Sequence, residues 1–283
     1  MNPPRPSARS RSASGPVVGG MNPPTGAIAS LNAFPGAIDR SSVPTATMKS
    51  PKKKGPTKAA LAKHERLLRM ERELWGGGLR HVAGLDEVGA GPWAGPLFAA
   101  CVVLDPARLE PLIGVNDSKQ LSAERREELD QQIRACALAV AVSECSVEEI
   151  DRINIRQAAL LAMRRALDAV QAQLGGIDRV LIDAHTLPDL PILQQPIVKG
   201  DATSLSIAAA SIVAKVARDA VMRRFAEQYP GYGFEQHKGY GTAQHQDALS
   251  SLGPTPIHRR SFAPIRTILE GAPSRLAIPR PPA

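Results

Sequence analysis

The chain has 283 residues, 43% of them hydrophobic and 22% charged, with a formal net charge of +8. That length allows one generous domain or two small ones with a sizeable core. No window reaches the roughly 18 apolar residues of a membrane span, which excludes a helical membrane protein and points to a soluble one. Three cysteines (Cys101, Cys136 and Cys145) without CxxC spacing argue against a disulfide framework or a structural zinc site. They fit small buried hydrophobes in a reducing cytoplasm. The charge is uneven: residues 1–80 hold 14 Lys/Arg against 4 Asp/Glu, a balance of +10, and residues 81–283 hold 21 against 23, a balance of −2. Nucleic-acid binding by the body of the chain therefore needs a local patch rather than a global field.

Residues 1–57 contain ten of the 25 prolines, are rich in Ser, Gly and Lys, and carry neither helical nor strand periodicity. They read as a disordered tail. Met48 opens a segment that would serve as a natural N-terminus, so residues up to 47 read as a start-site artefact or a dispensable tail. Residues 58–75 predict a basic helix, stopped by Gly76, Gly77 and Gly78, which either touches a phosphate backbone or packs on the main domain. The main domain spans 79–270, followed by a Pro-rich disordered tail over 271–283.

Within the main domain, HVAGLDEV (81–88) and LFAACVVL (97–104) predict strands. A charged amphipathic helix follows over 122–137, then a strand, LAVAVSEC (138–145). Ser146 and Glu149 form a capping box that opens one long helix through Leu174. RVLIDA (179–184) is a buried strand, Ile197-Val198 a short one, and 207–229 a helix whose first half is small and apolar. An irregular basic segment closes the domain. This order predicts a mixed α/β sheet flanked by helices, with a helical or irregular C-terminal extension.

Four acidic residues fall at element ends. Asp86 and Glu87 end the first strand, Asp183 ends the strand RVLI, and Asp201 precedes the small-residue helix. Neighbouring strand residues point to opposite faces, so Asp86 and Glu87 share a site only if the strand stops there and the following glycines turn the backbone. Carboxylates ending buried strands are costly unless paired or metal-bound. Oxygen donors without Cys or a His pair favour Mg²⁺ or Mn²⁺ over Zn²⁺, and two such ions suit in-line attack of water on a phosphodiester. Helix caps and surface acids remain the plainer reading of the same residues.

Gly89-Ala90-Gly91 is not a dinucleotide fingerprint: the spacing is wrong, Pro92 interrupts it, and two carboxylates precede it. It suits close backbone approach to a sugar or phosphate. Asp117-Ser118-Lys119 reads as a turn or as strand-backbone donors. Tyr232, the run His237-Lys238-Gly239-Tyr240-Gly241-Thr242 and the later Pro256–Phe262 suit stacking on a sugar or base, or an ordinary loop with a packed tyrosine.

Six segments resemble ribonuclease HII, the bacterial type 2 ribonuclease H, in that family's order over roughly residues 80–266: GLDEVGAGPWAGPLFAACVVL, NDSKQLS, VLIDA, VKGDATSLSIAAASIVAKVARD, YPGYGFEQHKGYGT and GPTPIHRRSF. The resemblance implies an RNase H-like fold, hydrolysis of the RNA strand of RNA–DNA hybrids, and nicking 5′ of a ribonucleotide embedded in duplex DNA. It implies that Asp86, Glu87, Asp183 and Asp201 hold two divalent ions, Mn²⁺ or Mg²⁺. It also implies that Gly89, Ala90 and Gly91 sense the ribose 2′-hydroxyl, that Tyr240 packs on the sugar, and that Ser118, Lys119 and Lys238 contact nucleic acid. Ala90 stands where that family usually has arginine, and Ala184 where it usually has glycine. The expected partners are hybrids and ribonucleotide-containing duplex DNA, the expected state a cytoplasmic monomer, and the role ribonucleotide excision and DNA replication. A noncatalytic hybrid-binding protein on the same fold is the alternative. Type 3 ribonuclease H fits less well, since residues 1–57 cannot form its folded N-terminal domain.

Overall fold

The computed structural model describes residues 55–271, so the expectations for residues 1–54 and 272–283 lie outside the described residues. Thr57 caps helix α1 (Lys58–Gly76) by accepting from the Ala60 N–H, and Gly77 ends it. The helix lays Leu67 and Leu68 into the core and buries Glu71, so packing, not solvent, claims its inner face.

The sheet has five strands in the order β3-β2-β1-β4-β5. Strands β1 (Val82–Val88), β2 (Leu97–Val103) and β3 (Ala139–Cys145) form an antiparallel meander. Strands β4 (Arg179–Asp183) and β5 (Gln194–Ile197) add in parallel beside β1. The short strand expected at Ile197-Val198 thus begins three residues earlier and ends at Ile197. Helix α2 (Ala123–Cys136), capped by Ser122, sits between β2 and β3.

The long helix expected after Ser146 is two helices. The capping box opens α3 (Val147–Ile153), and Asn154 then takes a left-handed φ of 69° and caps α4 (Ile155–Leu174) through its side chain. Asparagine tolerates that conformation and supplies the oxygen for two orphan N–H groups, so it ends one helix and starts the next. Helix α5 (Leu205–Gln228) follows a single turn of 3₁₀ helix at Gly200–Ala202. The helical or irregular extension expected after it holds three more helices: α6 (Phe234–His237), α7 (Ala243–Leu252) and α8 (Ala263–Leu269). They close a separate apolar cluster of Tyr232, Phe234, Leu249, Ile257 and Ile265 around Ala94 and Met222.

Strand alternation divides the core. Ala83, Leu85, Val180 and Ile182 face α4, whereas Val82 and Leu181 face the opposite layer with Ile207 of α5. All three cysteines are free and buried. No described helix is long and apolar enough to cross a membrane.

The closest approach is between α5 and β1. A Cβ placed on Gly84 would overlap the backbone of Ser206 and Ile207, so only glycine fits there. Gly84→Ala must push helix and sheet apart, and overpacking of that kind costs about 3 kcal/mol. A lowered urea midpoint with unchanged slope would register it.

Candidate active site

β1 and β4 run in parallel with Leu85 level with Ile182. One residue further, Asp86 and Asp183 emerge side by side at the carboxyl ends of neighbouring strands, on the face covered by α5. Glu87 points to the other face, because β1 does not stop at the acidic pair: Glu87 and Val88 still pair with Ala99 and Phe98 of β2. The expectation that the strand ends at these residues is therefore corrected. Even so, the Glu87 charge is felt at Asp86.

Asp86 is buried, and burial, then the charges of Glu87 and Asp183, push its carboxyl well above the usual range. The Ser211 hydroxyl from α5 and the Glu87 N–H, 2.8 Å from Oδ1, work against that shift. Asp183 accepts from the Gly200 N–H at 2.7 Å, which ties the end of β4 to the turn carrying Asp201. Asp201 is also raised, by burial and by the charges of Asp117 and Asp183, with Lys119 opposing. The Lys119 ammonium lies 4.0 Å from Asp201 on a side chain that is 81% exposed. Glu87 Oε1 lies 3.7 Å from His185 Nε2, while its buried Oε2 has no hydrogen-bond partner. His185 is raised first by its hydrogen bond to Glu87.

Among the described residues no three His, Cys, Asp or Glu side chains stand closed up as a ready metal cage. The donor set nevertheless fits hard divalent cations, which take oxygen ligands and retain several of their own waters. The orphaned Glu87 oxygen and the mutual repulsion around Asp86 are what such a cation would relieve. Ala184, between Asp183 and His185, has a φ of 50°. That left-handed turn is where a glycine would sit without strain.

The other expected residues divide. Ser118 is buried, its hydroxyl 2.9 Å from that of Ser211, so it braces the group facing Asp86. Lys119 is open at the rim. Gly89 has a φ of 98°, and a Cβ there would overlap the Arg218 side chain. Tyr240 is exposed, with its ring 3.5 Å from where a Cβ on Gly91 would stand. The Lys238 carbonyl accepts from Arg218, and its ammonium bonds back to the Glu235 carbonyl. Tyr232 takes the ordinary role of a packed tyrosine, stacked on Phe234.

Sequence reasoning missed His185, whose signal was its place two residues past a strand-end aspartate. It also missed His245, and that His237 and His258 are buried against it behind Tyr240. His245 Nδ1 lies 3.0 Å from the Tyr240 carbonyl and its Nε2 lies 3.0 Å from Nε2 of His258. His258 Nδ1 accepts from the Thr255 N–H at 2.8 Å. These contacts admit one neutral arrangement: His258 donates to His245, which donates to Tyr240. His237 stacks on His245 and accepts from the Gly239 N–H.

Carboxylates converging at the ends of adjacent parallel strands, over a mixed sheet with an exposed aromatic and a glycine loop alongside, are an arrangement suited to phosphodiester hydrolysis with divalent ions. The comparisons with known proteins narrow that class. The family model described as ribonuclease HII matches residues 83–265. A ribonuclease HII of Synechococcus sp. (strain JA-3-3Ab) is 52% identical over 206 residues, covering 72% of this chain and 91% of the relative. The crystal structure of the ribonuclease H2 from Pyrococcus horikoshii OT3 superposes with a TM-score of 0.58 at 28% identity, covering 67% of this chain and 97% of that one. Bst-RNase HIII in complex with Mn²⁺ shares the fold, with a TM-score of 0.55 at 20% identity over 68% of this chain and 70% of that one. This chain belongs to the ribonuclease HII family, whose activity is hydrolysis of RNA in RNA–DNA hybrids.

Burial holds His245 and His258 down to about 4. The unfolded chain takes up those protons near the ordinary histidine value of about 6.5. The folded chain takes them up only near 4, so stability is complete above that ordinary value and is lost as pH falls between the two. Tm should therefore decline from pH 6.5 towards 4, and a His245→Asn/His258→Gln double variant should show a shallower decline in thermal melts.

Proposed function

We propose that this chain cuts the RNA strand of hybrids, and nicks duplex DNA 5′ of an embedded ribonucleotide, at the site formed by Asp86, Glu87, Asp183 and Asp201, with two divalent ions, Mg²⁺ or Mn²⁺, held by those carboxylates. The observation that carries this reading is the buried Asp86, whose carboxyl the charges of Glu87 and Asp183 push up, together with a Glu87 oxygen that has no hydrogen-bond partner. A cluster of that sign, with Lys119 and His185 at its margin, is suited to an external cation. When bound, such ions activate water for in-line attack on phosphorus and offset charge on the leaving 3′-oxygen.

The chain's own residues do the positioning. Ser211, backed by Ser118, keeps one face of Asp86 hydrogen-bonded. Gly200 fixes Asp183 against the Asp201 turn. Lys119 is placed to meet a backbone phosphate at the rim, and Lys238 lies on the Tyr240 loop. Tyr240 offers an exposed ring for a sugar beside the Gly89-Ala90-Gly91 loop, which approaches the ribose with backbone alone, since the Ala90 side chain brings no charge. We read the chain as a cytoplasmic monomer acting in ribonucleotide excision and DNA replication. The presence of all four carboxylates disfavours a noncatalytic hybrid-binding role.

The test is cleavage of a long hybrid, a duplex DNA with one ribonucleotide and an all-DNA duplex, each with Mg²⁺, Mn²⁺ or chelator. Metal-dependent cutting of the first two alone is expected, and metal-independent cutting would overturn the site assignment. Asp86→Asn should lower cleavage by at least about 10-fold to 100-fold, the cost of losing even an outer-shell partner of a metal ligand. Because it removes a like-charged buried group, it should also raise the metal-free Tm. A variant that is both active and less stable would contradict the role given to Asp86.

A further inference from the structure

Two arginines outside the carboxylate site, Arg218 and Arg259, are fully buried. Among the described residues neither forms an ion pair. Their hydrogen-bond acceptors are backbone carbonyls. Arg218 donates to Pro96 at 3.0 Å, Lys238 at 3.0 Å and Ala94 at 3.1 Å. Arg259 donates to Gly95 at 2.9 Å, Ala90 at 3.2 Å and Gly89 at 2.7 Å. Burial lowers the guanidiniums only to about 10 and about 9, so both stay charged at neutral pH. A buried charge is costly unless its donors are satisfied, and here carbonyls of the segment 89–96 and of Lys238 satisfy them.

The consequence lies on the far side of those peptides. In a trans peptide the C=O and the following N–H point in opposite directions. With the carbonyls of Gly89 and Ala90 drawn inward to Arg259, the N–H groups of Ala90 and Gly91 are turned outward. Both residues are exposed, and among the described residues neither amide donates a hydrogen bond. Arg218 lies directly beneath Gly89, in the space a Cβ there would need, and it also pins the Lys238 carbonyl. One pair of guanidiniums therefore fixes the direction of two free amides and their distance from the Tyr240 loop.

We infer that Arg259, braced by Arg218, is the positioning residue for ribose recognition: it turns two consecutive backbone amides toward the substrate's 2′-hydroxyl, the role a charged side chain at position 90 does not fill in this chain. This rests on the hybrid-cutting site described above and adds a determinant of specificity remote from the carboxylates.

The test uses the full chain in chelator, so that binding is read without cleavage. Affinity for a duplex carrying one ribonucleotide is compared with that for the same duplex in all-DNA form, for wild type, Arg259→Lys and Arg259→Gln, with Tm measured for each. Wild type should prefer the ribonucleotide duplex by about fivefold to tenfold, the worth of one or two hydrogen bonds. A folded Arg259→Lys or Arg259→Gln variant should lose that preference while still binding both duplexes. A merely structural role would lower Tm and leave the ratio unchanged, and that outcome would overturn the inference. Should neither variant fold, amide NMR of the wild type decides: Ala90 and Gly91 resonances should shift with the ribonucleotide duplex and not with the all-DNA duplex, and equal shifts would overturn it. Failure of wild type to cleave the ribonucleotide duplex with metal would instead remove the hybrid-cutting reading itself.

Discussion

The packing of α5 against β1 over Gly84 is the constraint on which the other features depend. With no side chain at Gly84, the helix backbone at Ser206 and Ile207 comes down onto the strand, and Ala208, Ala209 and Ala210 keep the contact thin. At that separation Ser211 reaches Asp86, and further along the same helix Arg218 reaches the loop after β1. At its start, Ser204 and Ser206 both donate to the buried Glu71 of α1, whose carboxylate lies at the helix's positive end. Close-packed interiors transmit small displacements, so a shift of α5 would move the carboxylates, the loop and α1 together.

Two buried clusters of opposite charge flank the turn that follows β1, and they are resolved differently. The carboxylates have few internal donors: Asp86 has Ser211 and one N–H, and Glu87 keeps an unpartnered oxygen. Their repulsion remains in the folded chain as an affinity for something positive from outside. The guanidiniums of Arg218 and Arg259 are instead satisfied by carbonyls of the two loops they hold, the segment 89–96 and Lys238. The first cluster is therefore a site, and the second is a scaffold that aims its neighbours. The neutral histidine chain behind Tyr240 belongs with the scaffold, joining α7 to the segment after it through His245 and His258.

What the sequence made legible was whatever depends on local periodicity and on chemistry at element ends. Apolar runs marked β1, β2, β3 and β4, Ser122 and Ser146 marked helix starts, and acids closing the apolar runs marked the carboxylate site. Asn154 escaped because apolar periodicity continues on both sides of it, and only its left-handed backbone separates α3 from α4. The positions of the helices after α5 escaped because they are short and bury histidine and alanine, as α7 does with His245 and Ala248, leaving little apolar stripe to read. Arg218 and Arg259 look like solvated charges in sequence; only tertiary structure brings six carbonyls to them. Nor does a sequence reveal that Ser211, 93 residues away, lies opposite Ser118.

The most direct measurement of the central claim, that Asp86, Glu87, Asp183 and Asp201 form one charge-frustrated site completed by divalent cations, is thermal unfolding of metal-free protein titrated with Mn²⁺ and Mg²⁺ at constant ionic strength. Binding to the folded chain alone must raise Tm by mass action. A saturating rise with either ion, absent with equivalent K⁺, is expected. A Tm that stays flat with both divalent ions, or rises equally with K⁺, would contradict it.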